Sequence, residues 1–146
     1  MRLSKSMIAA AALVALTGTA FAAGEATVEA RKQNMKGIGG DMKAIAAVLK
    51  GESSDTASLP THTKSLAEAA AKSKALFQEK VLAGETAAKP EIWAEWDRFA
   101  AGLDAMSVET AKLAALNPAD KAAFGAQVGV VGKICKNCHD TYKEKK

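Results

Sequence analysis

Phe124-Gly125-Ala126-Gln127-Val128-Gly129-Val130-Val131-Gly132-Lys133-Ile134-Cys135-Lys136-Asn137-Cys138-His139-Asp140-Thr141-Tyr142 is the stretch that decides how this chain folds. Phe124, Val128, Val131, Cys135, Cys138 and Tyr142 recur at spacings of three and four, the period of one helix face, so both cysteines sit where a helix has to bury its side chains. The run Cys135-Lys136-Asn137-Cys138-His139 has the C-x-x-C-H spacing of covalent c-type haem attachment. Thiols three apart share a face and reach the two vinyl groups on one porphyrin edge. His139 then lies beneath the ring, where an imidazole nitrogen ligates iron in either oxidation state. A thioredoxin-like dithiol belongs near a βαβ pattern, and zinc needs four ligands. This chain offers two cysteines and, besides His139, only His62.

Working outward, Ala, Leu, Lys and Glu dominate the chain beyond its first residues, and β-branched runs are absent, which predicts an all-α fold. A first helix is expected over 26–50, with Val28, Arg31, Met35, Ile38, Met42, Ile45 and Leu49 inward, ending at Gly51. A second is expected over 60–82, through Leu66, Ala70, Phe77 and Val81. A third opens at Pro90 and carries Ile92, Trp96, Phe99, Leu103, Met106 and Leu113 to about Leu116. The fourth starts from the cap signal Asn117-Pro118-Ala119-Asp120. Four such helices joined by modest loops predict an antiparallel up-down-up-down four-helix bundle around a covalently bound haem.

At the other end of the chain, Arg2 and Lys5 precede an apolar run from Met7 to Leu16 and the sequence Ala20-Phe21-Ala22. That is the pattern of a secretory signal peptide with an A-x-A cleavage site, which predicts a leader over 1–22 and a haem domain over 23–146. The apolar run is too short to span a membrane, so the expected location is the periplasm, with no membrane insertion. Removing the leader leaves 18 basic residues against 16 acidic ones. That balance has no footprint for nucleic acid. Lys133, Lys136, Lys143, Lys145 and Lys146 surround the attachment motif and either steer an acidic redox partner or solvate a helix end.

In an antiparallel bundle the end of the fourth helix lies beside the start of the first. At 1.5 Å per residue this puts Arg31 and Met35 level with His139, Met42 about 10 Å further along, and Met106 and His62 more than about 20 Å away. Met35 is then the expected sixth iron ligand, although methionine is also a common filler on apolar helix faces. Arg31, one turn earlier, is expected to pair with a haem propionate. Phe77, Trp93, Trp96 and Tyr142 are expected to wall the porphyrin.

A haem motif at the extreme C-terminus of four helices resembles the class II cytochromes c, the family of cytochrome c prime. The likeness covers Arg31-Lys32-Gln33-Asn34-Met35, Ile38-Gly39-Gly40-Asp41-Met42-Lys43, Pro90-Glu91-Ile92-Trp93 and Cys135-Lys136-Asn137-Cys138-His139-Asp140-Thr141-Tyr142. It implies one covalent haem c with iron. In the five-coordinate members an apolar side chain such as Leu or Phe stands four residues after the arginine and shields an open iron face. Low-spin members carry methionine there and use it as the sixth ligand. With Met35 at that position, the resemblance implies the low-spin subgroup: a non-enzymatic electron carrier with His139 and Met35 as axial ligands, working as a monomer or homodimer with redox protein partners. The alternative is a five-coordinate haem protein that binds nitric oxide or carbon monoxide. A third class, a dithiol oxidoreductase, requires Cys135 and Cys138 to stay free.

Overall fold

The computed structural model describes the backbone of residues 6–145 and side chains from residue 20 onward. Arg2 and Lys5 of the expected leader, and Lys146, lie outside the described residues. The elements are α1 (Ser6–Leu49), a 3-10 turn (Thr56–Ser58), α2 (Leu59–Phe77), α3 (Glu91–Ala94), α4 (Trp96–Ala115) and α5 (Lys121–Tyr142). The long helices α1, α2, α4 and α5 pack as neighbours in that order, and α5 returns to α1 to close the ring. The expected all-α four-helix bundle is the fold.

The core runs down the axis through Ile38, Ile45, Leu66, Phe77, Phe99, Leu103, Met106, Leu113, Phe124 and Val131, all buried. These are the expected stripes, with one exception: Leu49 is 38% exposed because it sits in the last turn of α1. There the chain reverses. Gly51 at φ 75° donates to Val48 O at 3.1 Å and Glu52 to Ala47 O at 2.9 Å, the paired bonds of a Schellman motif.

Four boundaries differ from expectation, each for a local reason. Helix α1 begins at Ser6 rather than near 26, because the Ala- and Leu-rich run before it favours helix and has no proline to stop it. Helix α2 stops at Phe77 rather than near Leu82, because its last carbonyls are taken by side chains from other elements. Arg31 Nε donates to Leu76 O at 2.7 Å, and Trp93 Nε1 to Phe77 O at 2.8 Å. The expected third helix is broken at Glu95 (φ −117°, ψ 39°) into α3 and α4. The break turns α3 so that Ile92 is buried and Trp93 reaches the end of α2. Helix α5 is capped by Asp120, whose Oδ1 accepts from Ala123 N at 3.1 Å, while Asn117 closes a turn onto Ala119 N one step earlier.

Candidate functional site

Between residues 28–39 of α1 and the end of α5 lies a cavity of about 420 Å³. Val28, Arg31, Met35 and Gly39 come from α1, Phe77 from α2, Ile92 from α3, Phe99 and Leu103 from α4, and Cys138, His139 and Tyr142 from α5. A smaller apolar cavity of about 150 Å³ continues it along the bundle, lined by Met35, Met42, Met106, Cys135, Cys138 and His139 among others. Cys138, His139 and Met35 belong to both. The far wall of the first cavity is a strap. Thr86, Ala87 and Ala88 line it, and their strand is tied to the chain end by Glu144 N to Ala87 O at 2.8 Å and Lys89 N to Tyr142 O at 3.0 Å.

The cysteines fit a thioether role and not a redox one. Both are half-buried and unpaired, on one face of α5. Desolvation pushes both thiols above their ordinary value, and the neighbouring Cys135 sulfur adds to the effect on Cys138. A dithiol reagent needs the opposite, a stabilised thiolate. No group of three or more His, Cys, Asp or Glu among the described residues could hold a metal ion, so a zinc site has no ligands. His139 is held below its ordinary value, first by desolvation and then by the Lys143 cation, with Asp140 opposing. The imidazole is therefore neutral and available to a metal.

Arg31 has an unusual setting for a cation. It is 3% exposed, and no carboxylate among the described residues is within salt-bridge distance of it. Its Nε, Nη1 and Nη2 donate to the carbonyls of Leu76, Val81 and Glu79 at 2.7, 2.7 and 2.5 Å. The guanidinium also lies 5.0 Å from the Phe77 ring centroid and 5.2 Å from that of Trp93. These carbonyls form the negative end of α2 and the loop after it, so Arg31 is a C-terminal cap supplied from another helix. Three of its five N–H groups are thereby used.

Of the four aromatics expected around the cofactor, Phe77 and Tyr142 line the cavity, and the two tryptophans do not. Trp93 stacks behind Arg31, and Trp96 packs on Phe99 with centroids 6.0 Å apart. Met106, expected far from the motif, shares the inner cavity with Cys135 and Cys138. The break at Glu95 explains this. Counted from Trp96, Met106 is only about 15 Å along α4, while Cys135 is about 10 Å from the end of α5. His62 is remote as expected, half-buried with its Nδ1 2.9 Å from Asp41 Oδ1. Missed from sequence were Ile92, Phe99 and Leu103, legible as core but not as cofactor wall, and the strap, whose Thr86-Ala87-Ala88 carries no signal.

Slot, paired thiols and imidazole on a four-helix bundle define a covalent-haem protein of the helical class. A profile of the family described as Cytochrome C' matches residues 26–143. The cytochrome c' of Pararhodospirillum photometricum is 36% identical over 124 residues, covering 82% of this chain and 98% of that protein. The cytochrome c-556 of Agrobacterium fabrum is 36% identical over 132 residues, covering 88% and 87%. Among solved structures, a nitric oxide complex of a cytochrome c prime variant from Alcaligenes xylosoxidans superposes with a TM-score of 0.73 at 29% identity, over 84% of this chain and 97% of that one. The chain belongs to the cytochrome c' family, and its cofactor is covalently bound haem c with iron.

These findings overturn the expectation of a six-coordinate electron carrier with His139 and Met35 both on the iron. Relatives of this fold are named cytochrome c', and one of them holds nitric oxide. A haem that takes up an external diatomic ligand has a coordination position to give. Met35 itself packs against the core cluster as a half-buried apolar side chain, the filler role that methionine serves on helix faces.

Proposed function

We propose that this chain is a five-coordinate c-type haem protein that binds nitric oxide or carbon monoxide at the iron face turned toward α1. The observation that carries the reading is that His139 on α5 and Met35 on α1 border one cavity, with Val28, Phe99 and Leu103 among its apolar lining. In this reading Cys135 and Cys138 carry the thioether bonds, His139 is the proximal ligand, and Met35 shields the open face. Haem iron supplies the affinity for diatomic gases. The chain supplies the rest: a neutral imidazole, a mostly apolar wall, and the cations Lys32, Lys36 and Lys143 beside it. The two Arg31 N–H groups not spent on carbonyls are assigned to a propionate, with the guanidinium already fixed in place.

The chain is further read as exported to the periplasm, with cleavage after Ala22. Phe21, Ala22 and Ala23 are exposed, and the first buried side chain among those described in α1 is Val28, so a mature start at Ala23 removes no described residue of the core. No helix among the described residues is long and apolar enough to cross a membrane. Redox proteins that return the iron to its ferrous state are the natural partners, and the chain acts as a monomer or homodimer.

The test is spectroscopic. Ferrous protein is expected to be high-spin and to shift its Soret band on addition of carbon monoxide. A low-spin ferrous spectrum that carbon monoxide leaves unchanged overturns the reading.

A further inference from the structure

Tyr142 is the single tyrosine of the chain, and nothing in the haem-holding set uses its hydroxyl. Its ring is 7% exposed and lines the slot, one helical turn beyond Cys138 and His139. The phenol turns away from the cavity and donates to Glu95 Oε2 at 2.9 Å. Glu95 stands at the break between α3 and α4, with its side chain 46% exposed, and the same oxygen lies 3.4 Å from Arg98 Nη1. Behind the ring, Phe99 packs edge-on at 5.1 Å, and Trp96 follows it at 6.0 Å.

A buried phenol needs some hydrogen-bond partner, and a carbonyl would meet that need. Here the partner is a carboxylate, which can take the proton outright, and it opens to water on its far side. Burial, followed by the bond to Glu95, holds the phenol above its ordinary value, so it keeps its proton on the Glu95 side of the ring. A phenol oxidised without losing its proton becomes a very strong acid, and a base within hydrogen-bond reach removes that barrier. Slot, phenol, base and solvent are therefore in series.

We propose that Tyr142 and Glu95 form a proton-coupled electron relay to the haem, which equips this protein to reduce hydrogen peroxide. The relay rests on the open iron position proposed above. Peroxide accepts two electrons as its O–O bond breaks. One comes from ferrous iron, which becomes ferric, and one from Tyr142. The Tyr142 O–H bond breaks, its proton passes to Glu95 Oε2 and on to water, and a neutral phenoxyl radical is left. With one further proton from solvent, the sum is one peroxide, one ferrous iron and one phenol giving one ferric iron, one phenoxyl radical and two waters. A small one-electron reductant of the ascorbate class then restores both centres.

The experiment mixes anaerobic ferrous holoprotein with one equivalent of hydrogen peroxide, freezes it within milliseconds and records the electron paramagnetic resonance spectrum. A radical with tyrosine ring-proton hyperfine structure is expected in the wild type and absent in Tyr142→Phe. In Glu95→Gln, which keeps an acceptor but not a base, the signal should form about a hundredfold more slowly. Carbon monoxide binding to each preparation reports the open position separately, and circular dichroism reports the fold. Carbon monoxide binding without a tyrosine signal overturns the relay alone, as does a radical unchanged in Tyr142→Phe. A Glu95→Gln protein as fast as wild type removes Glu95 from it. Failure to bind carbon monoxide overturns the open-iron reading and the relay with it.

Discussion

Replacing Arg31 with Met keeps most of the stem and removes the charge and all five donors. Three bonds from a charged donor are worth about 1.5–3 kcal/mol each in gross terms, but removing the guanidinium also removes the several kcal/mol spent on desolvating it. What decides the net effect is the fate of the acceptors. Glu79 is exposed and Val81 half-buried, so water can reach their carbonyls, whereas Leu76 O lies within the last turn of α2. One buried carbonyl left unpaired, together with two lost cation–π contacts, comes to about 3 kcal/mol. For a domain of this size that is a fall of about 10–15 °C in Tm. Thermal unfolding of the holoprotein followed at 222 nm measures it, and amide hydrogen exchange over residues 74–82 locates it. Arg31→Lys should recover only part of the loss, because an ammonium lacks the planar fork that meets three carbonyls at once. A Met variant that melts within about 3 °C of wild type, with exchange at the end of α2 unchanged, refutes the capping role.

Other outcomes follow from the same geometry. With Cys135→Ala and Cys138→Ala together, the chain purified without haem should keep its helical circular dichroism but lose sharp thermal unfolding, because the slot is then a cavity no packed core tolerates; a cooperative transition at the wild-type temperature would count against it. Tyr142 holds its proton to higher pH in the folded state than in the unfolded chain, so its contribution is complete below about pH 10 and lost above it. Melting temperatures measured from pH 9 to 11 should therefore fall more steeply for wild type than for Tyr142→Phe. Gly51→Ala should cost about 1 kcal/mol in urea unfolding, because Gly51 holds the left-handed φ of 75° that closes α1.

The architecture was legible because each bundle helix carries its own punctuation and a strong apolar period. Gly51, Pro90 and the Asn117–Asp120 cap bracket the segments, and Phe124, Val131 and Tyr142 point where the period says. The attachment motif was legible because its spacing is chemistry and needs no tertiary context. What escaped was set between elements. The early end of α2 depends on Arg31, some 45 residues away in sequence, arriving to cap it. The tryptophans left the slot because one of them is required behind that guanidinium. The role expected of Met35 failed for a different reason, since a thioether on an apolar helix face has the same pattern whether it ligates or fills.

The pairing of Ala88 with Lys143 joins residues 55 apart, and it sits one residue past the end of α5. Closing a loop of that length costs chain entropy that contacts within a helix do not, so the pairing leans on the two backbone bonds beside it, Glu144 N to Ala87 O and Lys89 N to Tyr142 O. One wall of the slot therefore depends on residues 142–144 keeping these few backbone bonds. An extension placed directly after Glu144 therefore bears on that wall of the slot, whereas residues 20–27, ahead of Val28, hold no buried side chain.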